Sequence, residues 1–189
     1  MGDTTPKNYV YCMDHDTGFA PNVKFGICTL TGCKQRSESG KNNIEENAEP
    51  GSWVIGIGGK GTHKPGKLIY AMKIEKNLSI KEFKKKYPGK YKETMRMAKI
   101  VKGDSGNNIL ISRIFYYFGN NAEDLPESLE HIIYQGRNCK CIPREDAMAL
   151  DKHLSKTYRY GIHGVPNNPP NHGHMCPGIC KRTSIVKRS

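Results

Sequence analysis

The apolar positions of this chain fall in short runs divided by glycine, proline and polar clusters, a layout of small strands with a few helices. The most regular block is Gly51 to Ile74, GSWVIGIGGKGTHKPGKLIYAMKI. It predicts two strands, Trp53 to Ile57 and Leu68 to Ile74, joined by a loop bearing glycine, lysine and histidine. No side-chain bulk stands at Gly56, Gly58, Gly59 or Gly61, so a ligand or a second stretch of backbone can come close there. Upstream, Tyr9 to Met13 predicts a first strand that stops at Asp14-His15-Asp16-Thr17-Gly18. After the turn Phe19-Ala20-Pro21-Asn22, Phe25 to Leu30 predicts another. Downstream, NILISRIFYYFG from Asn108 to Gly119 is rich in β-branched and aromatic residues and is expected in the core.

Helical signals lie between and after these strands. Ser79 with Glu82 three residues on forms a capping box for a helix to Tyr87, which Pro88-Gly89 is expected to end. Pro126 opens a helix to about Tyr134, and Arg144 to Lys156, with Met148, Leu150 and Leu154, predicts another. Ser37 to Glu49 is polar and aperiodic, the composition of an exposed loop. The sum is an α+β fold, a small and mostly antiparallel β-barrel of about five to seven strands with flanking helices. A doubly wound sheet is disfavoured, because GIGGKG has no helix directly after its glycines. Residues 1–151 are expected to form the barrel domain. Residues 152–189 read as a basic tail rich in proline, glycine, histidine and cysteine, packed on the barrel or ordered by a metal.

Charge narrows the partner. Among 189 residues, 30 Lys and Arg stand against 18 Asp and Glu, a net charge of +12 that points to a polyanion, with nucleic acid or a nucleotide first. The row Lys84-Lys85-Lys86 is the candidate phosphate contact, with a solvated helix face as the plain alternative. No apolar run approaches the ~20 residues that span a bilayer, and the N-terminus lacks a secretory layout, so no membrane association and a cytoplasmic location are expected. The seven cysteines do not form the pattern of a secreted disulfide framework. Instead, His172, His174, Cys176 and Cys180, with Cys139 and Cys141 upstream, supply the thiolate and imidazole types that hold Zn²⁺ in a tetrahedral shell, though the spacing matches no standard finger.

Asp14 and Asp16 are the candidate catalytic carboxylates. Two residues apart, they share one face if the first strand continues through them, and they suit acid–base work, hydrogen bonds to a base or sugar edge, or a divalent ion. Equally, Asp16 can cap the turn that follows. For a ligand pocket, Trp53 and Tyr70 offer flat apolar walls, Asp16 and Asn22 offer edge acceptors and donors, Lys34 offers charge, and Gly56 and Gly58 let backbone come near. Adjacent strands would bring this set to one barrel mouth.

The blocks DHDTGFAPN and CTLTGCK between Asp14 and Lys34, then GSWVIGIGG, LIYAMKI and ISRIFYYFG, resemble the second family of nucleotide-modification-associated domains over about Tyr9 to Ile142. Gln35 and Ser52 stand where that pattern carries Pro and Asp. The resemblance implies a place beside phage and bacterial systems that alter nucleic-acid bases, including defence. The Trp-bearing strand followed by LIYAMKI and a helix is also similar in layout to PUA-like barrels of the EVE, ASCH and YTH types, which implies RNA binding or a modified base in an aromatic-lined pocket. Three functions remain open on these grounds: a reader of a modified base or nucleotide in DNA or RNA, a transferase or hydrolase using Asp14 and Asp16, and a zinc-stabilised interaction protein.

Overall fold

A computed structural model describes residues 5–31, 43–97, 108–136 and 138–169. Its strands are β1 (Asn8–Met13), β2 (Cys28–Leu30), β3 (Trp53–Gly58), β4 (Leu68–Lys73), β5 (Lys76–Ser79), β6 (Asn108–Ser112), β7 (Ile114–Tyr117), β8 (Cys139–Ile142) and β9 (Gly161–Ile162). The helices are α1 (Ile44–Asn47), α2 (Ile80–Lys86), α3 (Pro88–Met97) and α4 (Arg144–Leu154). Six strands form one sheet in the order β8-β1-β3-β4-β7-β9, and three form a second in the order β2-β6-β5. Most neighbours are antiparallel, but β1 runs parallel to β3, and β7 to β9.

The expectation of a closed barrel is corrected by these registers. Among the described residues the larger sheet is open, ending at β8 and β9. The apolar run at 108–119 does not stay in one ladder, because it breaks at Arg113 and crosses from the small sheet to the large one. Ser112 makes the corner: its hydroxyl donates to the Lys73 carbonyl at 2.6 Å and accepts the Ile114 amide at 2.8 Å. The chain of β4 and β5 makes the same crossing at Ile74–Glu75, where the Glu75 amide donates to the Ile111 carbonyl at 2.9 Å. Strands that change sheets at a bend are the usual corners of crossed sheets.

Burial follows from the layers. β1, β3 and most of β4 are apolar and buried, as expected of strands covered on both faces. One face packs Tyr11, Tyr70, Met72 and Tyr117 against Cys28 and Leu30 of β2, Leu110 of β6 and Ile44 of α1. The other packs Val10, Trp53, Ile55, Ala71 and Phe118 against Ala147, Leu150 and Leu154 of α4. Phe83 of α2 covers Ile27, Ile109 and Ile111 beyond the small sheet.

Local signals place α2 as expected: Ser79 accepts the Glu82 amide, and Glu82 accepts the Ser79 amide at 2.9 Å. Pro88 ends α2 but opens α3 at its first position, where a missing N–H costs nothing. The segment expected to be helical from Pro126 is a 3-10 turn at Glu127–Ile132, and Phe25 sits in a 3-10 turn before β2. Within the expected 37–49 loop, Asn43 caps the short α1, whose Ile44 is buried. The boundary expected at 151/152 lies inside α4, and residues 158–168 continue onto the sheet through β9 and the Asp16 contacts below. Among the described residues no helix is long and apolar enough to cross a membrane.

Candidate functional site

Because β1 and β3 are parallel, their C-terminal ends lie side by side. Met13 is opposite Gly58, and the Gly59 amide donates to the Met13 carbonyl at 2.8 Å. β1 stops at Met13, so Asp14 and Asp16 are not alternate residues of a strand; Asp14 is exposed and Asp16 is fully buried. They do not share a face. The room left by the glycines is taken by the chain itself. A Cβ at Gly61 would stand 2.1 Å from the Asp14 carbonyl oxygen, and one at Gly56 would stand 2.3 Å from the Tyr70 ring.

Asp16 is held from two directions. Tyr117 donates to Oδ1 and Oδ2 at 2.8 and 2.9 Å, while the Asn167 amide reaches Oδ2 at 3.2 Å. Asn168 closes the backbone side: its amide donates to the Asp16 carbonyl at 2.8 Å, and its side chain accepts the Asp16 amide at 3.0 Å and donates to the Gly61 carbonyl at 3.1 Å. Burial pushes the Asp16 carboxyl up from its ordinary value, and the bonds from Tyr117, Asn167 and Gly18 act against that rise. Burial, followed by the neighbouring Asp16 charge and hydrogen bond, pushes the Tyr117 phenol up as well.

Tyr70 belongs to the same face. The registers align Tyr11, Gly56, Tyr70 and Tyr117 across β1, β3, β4 and β7, and the phenols of Tyr11 and Tyr70 meet at 2.8 Å. The absent side chain at Gly56 is what lets the Tyr70 ring cross β3 toward Tyr11. Trp53 is elsewhere. It begins β3, at the end opposite Gly58, and its amide donates to Asn8 Oδ1 at 2.9 Å. It packs in the α4 layer at 5% exposure, beside a groove shared with Arg144, Met148 and Lys152. The expected convergence of Asp16, Asn22, Trp53 and Tyr70 on one mouth is therefore corrected: Tyr70 and Asp16 both meet the Tyr117 row, while Trp53 lies at the other end and on the other face.

Asn22 belongs to a third place. Lys90, in the first turn of α3, is 4% exposed, and its ammonium donates to Asn22 Oδ1 at 2.5 Å and to the carbonyls of Asn22, Lys24 and Ile27 at 3.1, 2.6 and 3.4 Å. Burial pushes this lysine down to about 8. The ammonium ties the 22–27 loop to α3. Next to it, Lys84, Lys85 and Lys86 are exposed on the last turn of α2, with the Lys84 ammonium 5.5 Å over the Tyr91 ring.

Lys34, His172, His174, Cys176 and Cys180 lie outside the described residues. Cys139 is half-buried and Cys141 exposed on β8. Among the described residues no cluster of three or more His, Cys, Asp or Glu side chains is gathered for a metal.

Reasoning from sequence missed Tyr117, Asn167, Asn168 and Lys90. Asn167 and Asn168 lie about 150 residues from Asp16 and left no local trace. Lys90 did leave one, since a lysine just after Pro-Gly is placed in a first helical turn once Pro88 is read as a start.

The family model described as nucleotide modification associated domain 2 matches residues 5–102 and 84–172. No curated protein and no solved structure matches the chain. The matched segments hold the whole β1–β3 strand end, the Tyr117 row and the Lys90 loop, and on this match the chain belongs to the nucleotide modification associated domain 2 family.

Proposed function

We propose that this domain binds nucleic acid through the basic face of α2 and α3 and serves base modification as a reader of a modified base or nucleotide. The family association with nucleotide modification supports this reading. The observation that carries the reading is the exposed Lys84-Lys85-Lys86 row on a helix whose start is fixed by a full capping box. Three neighbouring cations supply the charge that phosphates meet, and each contact gains by releasing counterions. An acid–base mechanism through Asp14 and Asp16 fits less well: one carboxylate is in solvent, while the other is buried with its oxygens already accepting hydrogen bonds.

Titration of the full chain against a labelled single-stranded oligonucleotide at low salt tests the reading. Saturable binding that weakens when Lys84, Lys85 and Lys86 are reversed in charge supports it. A chain that does not bind at low ionic strength is no nucleic-acid module.

A further inference from the structure

The loop between Pro21 and Ile27 carries the most exposed of the large apolar side chains among the described residues. Phe25 is 69% exposed and sits at φ 63°, in the left-handed region that bulky residues rarely take. Such strain persists only where the surroundings over-determine it. Here Lys90 supplies the constraint, because its ammonium binds the carbonyls of Lys24 and Ile27 on either side of Phe25 and lies 5.8 Å from the ring centre. The loop is thus built to hold an aromatic face out of the surface.

That face borders a cavity. Phe25 and Ile27 from the loop, Tyr87, Pro88 and Lys90 from the α2–α3 junction, and Arg113 from the corner between β6 and β7 line a volume of about 370 Å³, within the range of small-ligand sites. No acidic residue lines it, and the first turn of α3, where backbone amides lack partners within the helix, carries none either. Tyr87 directly follows the exposed Lys84-Lys85-Lys86 row in the chain, and the Lys84 ammonium lies 5.5 Å over the ring of Tyr91 in α3.

We propose that this cavity takes one unpaired base of a single-stranded nucleic acid, stacked on Phe25 with Tyr87 as the neighbouring wall, and with the adjoining phosphates at Arg113 and the α2 lysines. The proposal rests on the nucleic-acid reading above and adds the site and the strandedness. Charge complementarity selects the polyanion. The concave aromatic wall selects an unpaired base, since a base within a duplex keeps both faces in its stack.

The test uses the full chain with oligothymidylate and oligouridylate carrying a central 2-aminopurine, whose fluorescence falls when the base stacks. Two variants are compared, Phe25→Leu, which keeps apolar bulk without a π face, and Phe25→Gly, which relieves the left-handed backbone. Both should weaken single-strand binding by about 5- to 150-fold and abolish the quenching, with melting temperature little changed and with duplex binding and salt dependence retained. The thymidine and uridine arms report whether DNA or RNA is preferred. If both variants bind and quench as wild type while Lys84→Glu/Lys85→Glu/Lys86→Glu loses affinity, the base site is refuted and the nucleic-acid reading survives. If wild type binds neither strand at low salt, both fall.

Discussion

The Tyr117 phenol shares its hydrogen between the two carboxylate oxygens of Asp16, at 2.8 and 2.9 Å, and so joins the end of β1 to β7 across 101 positions of sequence. Asn167 and Asn168 complete the enclosure from the far end of the described chain. The carboxylate that reads as catalytic in the sequence is, in the fold, a fastener between distant segments.

Asp16→Asn should therefore cost stability while sparing oligonucleotide binding. Its new NH₂ donor cannot replace an oxygen that accepts from Asn167, and the expected loss is about 1–3 kcal/mol at neutral pH, read from denaturant unfolding. Because the folded pKa is raised above 3.8, the carboxyl contributes stability in acid that is lost as pH rises through the folded value. The advantage of wild type over the variant should then shrink as pH rises from 3.8. Unchanged stability with weakened binding would make Asp16 a ligand residue instead.

Lys90 carries a pH dependence of opposite sense. Its folded value of about 8 lies below the ordinary 10.5, so between these the unfolded chain holds a proton that the folded protein has released, and stability rises with pH. The Cys28 thiol, raised by burial from 9.0 to about 12, opposes this only above 9, and the raised phenols of Tyr116 and Tyr117 only above 10. Lys90→Met should be less stable by about 1–3 kcal/mol, since it orphans the oxygens around the ammonium. The wild-type advantage should grow between pH 8 and 9; parallel stability curves would contradict this origin.

The strands and the capped helix were legible because their signals are local: alternating or continuous apolar runs for β1, β3 and β4, and Ser79 with Glu82 for α2. What sequence did not show was direction and distance. The expected single pocket needed only that neighbouring strands bring these residues together, and an antiparallel neighbour would have set the end of β1 beside Trp53. The parallel pairing sets it beside Gly58 instead. The barrel expectation failed at Ser112, whose hydroxyl turns an unbroken apolar run into two strands of different sheets. The Asp16 enclosure depends on asparagines in a proline-bearing stretch with no periodicity to read.

Zinc is proposed for the thiolate and imidazole set of Cys139, Cys141, His172, His174, Cys176 and Cys180, of which the two β8 cysteines are among the described residues. Protein never exposed to chelator should carry about one equivalent by elemental analysis, and chelation should lower its melting temperature. A content below about a tenth of an equivalent contradicts the site.

The central claim is that phosphates meet the α2–α3 face, and the salt dependence of oligonucleotide affinity tests it most directly. For a single strand, each phosphate contact contributes about −0.7 to the slope of log affinity against log salt. Wild type should show a steep slope, and Lys84→Glu/Lys85→Glu/Lys86→Glu should bind more weakly with a slope flatter by about 2. Equal slopes in the two proteins would show that the lysine row touches only solvent.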